Sequence, residues 1–299
     1  MPLATGILSE TALDHPASEH MPADRRDLEA PFDKTSQGVA YRAFGKGEPL
    51  VLTHGGAGNW QHWVCNVDVL AQHFRVLAID QPCYGDSDAV PWETSEDDYL
   101  KLCHQAIDEM TEGADRIHLA GFSFGGYIAA EVAVRLGARA ASLSMTGGAG
   151  YGRPNGRSFV LGSKKKLRET LGREPLPTEL RAMHAENLGK LMLWDKSLID
   201  EWTIEMQYRN VEQTRFDSRR LSWADGTPGC VGRLNCPVMI VYGAHDAACI
   251  PPIAERIARC RSVKPDLEAH ILPDCGHWAM YEAPERVNDL MIEFHGRVQ

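Results

Sequence analysis

The sequence predicts an α/β fold: a doubly wound, mostly parallel sheet with a helical cap inserted near its middle. Three observations predict it. Short apolar runs with strand character alternate with helical stretches from Val39 to Met145, and the alternation resumes at Pro237. Between Gly148 and Gly229 strand signals stop and helical stretches take over. Finally, Gly121-Phe122-Ser123-Phe124-Gly125-Gly126 joins an apolar strand, Arg116 to Ala120, to an alanine-rich helix, Tyr127 to Leu136. We therefore expect an N-terminal arm over 1–35, a core from 36–147 and 230–299, and a cap over 148–229.

Each element has its own reason. Residues 1–35 are polar, carry four prolines and show no sustained period. Covering an edge or assembling a homo-oligomer are open roles for this arm, and a passive extension is the plainer reading. Val39 to Phe44 alternates as a strand does, and Gly45-Lys46-Gly47 turns the chain. Pro49 to Thr53 is a buried strand that runs into His54-Gly55-Gly56-Ala57-Gly58. Trp60 and Trp63 follow at helical spacing, with core packing as the default role. Arg75 to Asp80 is a strand, Gln81 to Ser87 its turn, and Asp97 to Met110 a helix. Ala140 to Met145 is the strand after the elbow helix. Within the cap, Lys164 to Leu171, Thr178 to Leu188 and Leu198 to Val211 read as helices. Two further strands, Pro237 to Gly243 and Leu267 to Leu272, precede a closing helix from Pro284 to Phe294.

Composition excludes several classes. The 299 residues carry a formal net charge of -10, which disfavours a nucleic-acid partner because phosphate binding needs a basic surface. No apolar run is long enough to span a bilayer, so a membrane role is not expected. Eight cysteines lie scattered without paired spacing, which predicts reduced thiols in a cytoplasmic setting. The N-terminus lacks the basic and apolar regions of a secretory signal. No histidine or cysteine spacing suits a metal, and the chemistry read below needs no cofactor.

The chemistry centres on Ser123. A strand–turn–helix with small residues at Gly121 and Gly125 pushes such a serine into strained geometry at the tip of the turn. Its hydroxyl is then exposed above a helix N-terminus, which favours developing negative charge. A glycine-rich nucleotide-binding turn is the rival reading. A serine hydroxyl needs a base, and His277, after the last strand, has the right ordinary pKa. Asp246, after the preceding strand, would orient that imidazole. Asp225 and Asp274 compete as the acid, and His245 and His270 as the base. The loop after Thr53 offers the N–H of Gly56 or Ala57, and the elbow offers that of Phe124, as an oxyanion hole. Basic residues crowd the start of the cap: Arg153, Arg157, Lys164, Lys165, Lys166, Arg168 and Arg173. They form either a solvated face or a mouth attracting an anionic small-molecule substrate.

From about Val39 onward the chain resembles the α/β-hydrolase superfamily. The resemblance rests on His54-Gly55-Gly56, Asp80-Gln81-Pro82-Cys83-Tyr84-Gly85-Asp86-Ser87, the elbow, Gly243-Ala244-His245-Asp246 and Gly276-His277. Gly276-His277-Trp278, followed by Glu282, Pro284 and Asn288, resembles the C–C bond hydrolases that cleave meta-ring-fission products. Those enzymes act on vinylogous diketo acids. The resemblance implies a pocket role for Trp278 and a cap arginine on the substrate carboxylate. Arg209 is the nearest arginine, though displaced, and Gln207 lies near the expected position. Phe122 stands where those hydrolases usually carry Asn. The combined expectation is a cofactor-free serine hydrolase of a carboxylic ester or an activated C–C bond. A ligand-binding protein on the same fold, or perhydrolase or lyase chemistry with the same triad, are the alternatives.

Overall fold

The computed structural model describes residues 30–156 and 158–298. The arm expected over 1–35 therefore lies outside the described residues as far as position 29. Its described end supplies Asp33–Lys34, a two-residue edge strand.

Eight strands form one sheet: β1 (Asp33–Lys34), β2 (Ala40–Phe44), β3 (Pro49–Thr53), β4 (Arg75–Ile79), β5 (Ile117–Phe122), β6 (Ala140–Thr146), β7 (Val238–Gly243) and β8 (Glu268–Leu272). Their spatial order is β1-β2-β4-β3-β5-β6-β7-β8. β2 pairs antiparallel with both β1 and β4, and every other pairing is parallel. The sheet is thus mostly parallel, as the alternation predicted. β5 lies inside it, with Leu52 opposite Ala120 on one side and Met145 opposite Gly121 on the other.

The helices of eight residues or more are α1 (Glu96–Met110), α2 (Phe124–Leu136), α3 (Lys164–Leu171), α4 (Pro177–Asn187), α5 (Glu201–Glu212), α6 (Ile253–Val263) and α7 (Pro284–Gly296). Caps set several boundaries that periodicity placed a few residues away. Ser95 accepts from the Asp98 N–H, so α1 begins at Glu96, with three carboxylates in its first turn. Asp200 accepts from the Thr203 N–H at 2.7 Å, which starts α5 at Glu201 rather than at 198. The sequence reading assigned no element to 247–266, where the chain forms α6.

The central strands are buried on both faces, as parallel strands between helical layers must be. Alternate residues serve different cores. Val51 joins Leu119, Ile107 and Ile128 on one face. Leu50 and Leu52 join Trp60, Trp63 and Phe294 on the other. Each such side chain contributes about 1.5–3 kcal/mol on burial. The consequence is a rigid platform whose strand ends share one rim. Between β6 and β7 the described chain is helical, and this cap is bonded to that rim. The Arg215 N–H donates to the Cys83 carbonyl at 2.9 Å, and the Tyr84 hydroxyl to the Phe216 carbonyl at 3.4 Å.

Candidate active site

Ser123 sits between β5 and α2 with φ 51°, in the region that disfavours a side chain. The crossing requires the two glycines. A Cβ on Gly125 would lie 2.5 Å from the carbonyl oxygens of Thr53 and His54. One on Gly121 would lie 2.5 Å from the Gly125 carbonyl. The Ser123 N–H is anchored on the Thr146 carbonyl at 2.9 Å, which ties the elbow to β6. The serine itself is partly exposed.

Two loops bring the partners. His277 Nε2 is 2.9 Å from Ser123 Oγ, and His277 Nδ1 is 2.9 Å from Asp246 Oδ2. The other Asp246 oxygen accepts from the Ala248 N–H at 2.8 Å. Burial works against the Asp246 carboxylate. The imidazole of His277 and the Ala248 N–H outweigh it, leaving the pKa below the ordinary aspartate value. Gly147, at φ 58°, leaves room for the imidazole, since a Cβ there would come within 3.0 Å of the ring.

The competing acids and bases lie elsewhere. Asp225 is exposed and paired with Arg259, and Asp274 is exposed in a turn at φ 58°. The exposed His245 stacks on Trp194, ring centroids 3.6 Å apart, while His270 lies within β8. His54 is wholly buried and holds loop backbone, contacting the Gly55 carbonyl and accepting from the Gln81 N–H at 2.9 Å.

Opposite the serine runs the loop 54–58. Ala57 has φ 56°, and its carbonyl accepts from Gln207 Nε2 of α5 at 3.3 Å. Phe124 opens α2, so its N–H lacks an intrahelical acceptor. Two cavities flank this centre. One, of about 90 Å³, is lined by Ser123, His277, Gly147, Tyr151, Trp223 and Arg256. The other, of about 280 Å³, lies between Gly56, Ala57 and the cap residues Met183, His184, Leu188 and Gln207.

The three residues expected to line the substrate site are placed differently. Trp278 is a core residue, 0% exposed. Its indole N–H donates to the His62 carbonyl at 2.9 Å, and its ring stacks on Tyr281. A buried indole needs such an acceptor, and the core supplies it. Phe122 is likewise fully buried, its ring 5.0 Å from that of His277. Arg209 projects from α5 with 46% of its side chain exposed and is held by Glu205 at 2.9 Å. Gln207, two positions earlier, is the α5 residue that reaches the loop. Three of the basic residues at the start of the cap are paired with glutamates: Lys164 with Glu212, Arg168 with Glu174 and Arg173 with Glu179. Arg157 lies outside the described residues.

Sequence reasoning missed His62 and gave no role to Glu282, which it named only as part of the resemblance. His62 is buried and accepts from the Gly55 N–H at 3.1 Å, bracing the loop from behind. Burial, together with His54 and His277 nearby, pushes its pKa well below 6.5. Glu282 accepts from the Gly276 N–H at 2.6 Å on the histidine loop, and from Trp194 at 2.6 Å and Asp195 at 2.8 Å on the cap. Neither contact has a local sequence signal beyond the presence of the residue. Among the described residues no group of three His, Cys, Asp or Glu side chains is placed to hold a metal ion, and no helix is long and apolar enough to cross a membrane.

Comparison with known proteins agrees with this geometry. The chain is 30% identical over 276 residues to a 2-hydroxy-6-oxononadienedioate/2-hydroxy-6-oxononatrienedioate hydrolase of Paraburkholderia phymatum, covering 87% of this chain and 91% of that protein. Its fold matches a meta-cleavage product hydrolase from Pseudomonas fluorescens, with TM-score 0.67, 23% identity and coverage of 90% and 98% of the two chains. It matches an esterase from Thermogutta terrifontis equally well, with TM-score 0.67, 22% identity and coverage of 90% and 99%. The family model described as "Alpha/beta hydrolase family" matches residues 50–290. The chain belongs to the alpha/beta hydrolase family, and it is a hydrolase.

Proposed function

We propose that the protein is a cofactor-free serine hydrolase acting on an activated C–C bond of a small diketo acid, with Ser123 as nucleophile, His277 as base and Asp246 as orienting acid. One observation carries the reading: an unbroken relay from Ser123 Oγ to His277 Nε2 and from His277 Nδ1 to Asp246, each step 2.9 Å. These are hydrogen-bond distances, and they join a weak nucleophile to a base and the base to its support.

The chemistry follows from the atoms. His277 takes the Ser123 proton as Oγ attacks the substrate carbonyl, and Asp246 stabilises the imidazolium that forms. The carbonyl electrons move onto oxygen, toward the N–H groups of Phe124 and of Ala57 or Gly56. Collapse breaks the bond to the leaving group, which takes its proton from His277. Water, deprotonated by the same imidazole, then releases the acyl group. In this scheme the Gln207 side chain holds the loop 54–58 against α5 and so fixes the direction of one oxyanion donor.

The C–C reading draws on the Paraburkholderia relative, whose similarity spans nearly the whole chain. A carboxylic ester is the second reading. It is favoured by Gln207 reaching the loop while Arg209 is turned to Glu205, which leaves α5 without a cationic grip on a substrate carboxylate. Parallel assays with a 2-hydroxy-6-oxo-dienoate and with a p-nitrophenyl ester of a short acid separate the two. Ser123→Ala should lower turnover of the preferred substrate about 10⁶-fold. Retention of most of the activity would end the serine-hydrolase reading.

A further inference from the structure

Helix α6 carries a buried cation beside the nucleophile. Arg256 is 5% exposed. Its guanidinium donates to four backbone carbonyls: Pro251 at 3.0 Å, Gly148 at 2.9 Å, and Ala248 and Ile250 at 3.2 Å each. These use four of its five N–H groups. The fifth, on Nη1, meets no backbone carbonyl among the described residues, and the Tyr242 hydroxyl is the polar side-chain group beside the guanidinium. No carboxylate lies within ion-pair distance of it there either. Asp246 is the acid whose charge it feels, but both oxygens of Asp246 are engaged by His277 and Ala248. The planar group lies over the ring of Tyr151, 4.8 Å from its centroid.

Arg256 lines the 90 Å³ cavity whose other walls include Ser123 and His277. A buried charge is costly unless it is paired, and carbonyl dipoles compensate it only in part. We infer that Arg256 is a carboxylate-recognising residue: it holds the anionic end of a short acidic substrate in the cavity beside Ser123. The cavity is far below the roughly 300 Å³ of ordinary ligand pockets, so it suits a short acid rather than a long chain. A planar guanidinium matches a carboxylate in shape and charge. The inference rests on the serine-hydrolase reading for its meaning, and it moves the substrate's grip from the cap helix α5 to the core helix α6.

The test is binding, which needs no turnover. Ser123→Ala protein is titrated with sodium propionate and with propionamide, of the same shape but uncharged, followed by ligand-observed NMR. We expect propionate to bind at least tenfold more tightly. The preference should vanish when Arg256→Met is added and persist in part with Arg256→Lys. Equal affinity for acid and amide overturns the inference, as does an undiminished preference in Arg256→Met, which would place the anion on the oxyanion donors alone. Should Arg256→Met fail to fold, the acid–amide comparison with Arg256 intact and the Arg256→Lys variant still decide. The two readings fail separately: an active Ser123→Ala enzyme sinks the hydrolase, whereas an indifferent binding site sinks only this one.

Discussion

At the scale of single residues, the proposed function depends on strained or buried groups held by specific partners. Ser123 tolerates φ 51° because Gly121 and Gly125 allow the strand and helix to cross. In the proposed reaction Asp246 contributes by orientation and charge. Asp246→Asn should keep the fold and lower kcat by about 10⁴, since an amide favours the wrong imidazole tautomer. Steady-state kinetics beside a thermal melt check both halves of that statement, and a variant within tenfold of wild type contradicts it. That Ser123, Asp246 and His277 would meet was legible because each follows a strand on a common rim. The substrate contacts were not. Trp278 lies beside His277 in sequence, yet it is buried in the core. Arg209 carries the expected charge, but it is half exposed and paired with Glu205, four residues earlier.

At the scale of elements, the proposed site depends on how the cap meets the sheet rim. Glu282 bridges them by accepting one N–H from the histidine loop and two from the cap. Glu282→Ala should cost about 2 kcal/mol by leaving those donors without their acceptor. It should also lower kcat, because the loop carrying His277 loses its brace; an unchanged melting temperature and kcat would remove the bridge from the account. Gly125→Ala should be more severe, since the added methyl meets backbone on β3, which cannot rotate away. Soluble yield and a melting curve register that change. Glutamates neutralise Lys164, Arg168 and Arg173 at the opening of the cap, so kcat/KM for an anionic substrate should fall only modestly with added salt. A steep fall would restore the electrostatic mouth. Alternation of strands and helices was legible throughout the core. Helix α6 was not, because Pro251 and Pro252 and a mixed polar pattern hide its period.

For the whole molecule, buried histidines link stability to pH. His54, His62, His118 and His295 are all fully buried, and burial lowers the pKa of each, that of His54 to about 4. Unfolding returns each to about 6.5, so below that pH the unfolded chain binds more protons. Stability from these groups is therefore complete above pH 6.5 and declines as pH falls toward their folded values. For His54 alone the loss amounts to roughly 3 kcal/mol by pH 4. Asp246 acts in the same sense at lower pH, its depressed pKa removing stability as acid finally protonates it. The melting temperature should thus fall steadily from pH 7 to pH 4.5, and a flat profile would contradict neutral buried imidazoles. Little of this was legible in the sequence, where a histidine in a loop or a helix carries no sign of whether water reaches it. What composition and motif order did convey was the sheet, the insertion and the rim where the site lies.

The most direct measurement is intact-mass and peptide analysis after exposure to diisopropyl fluorophosphate, which reacts with serines activated by a neighbouring base. The account predicts one adduct per chain, on the peptide containing Ser123, formed slowly or not at all in His277→Ala. An absence of adduct in folded wild-type protein, or labelling that ignores the loss of His277, would contradict it.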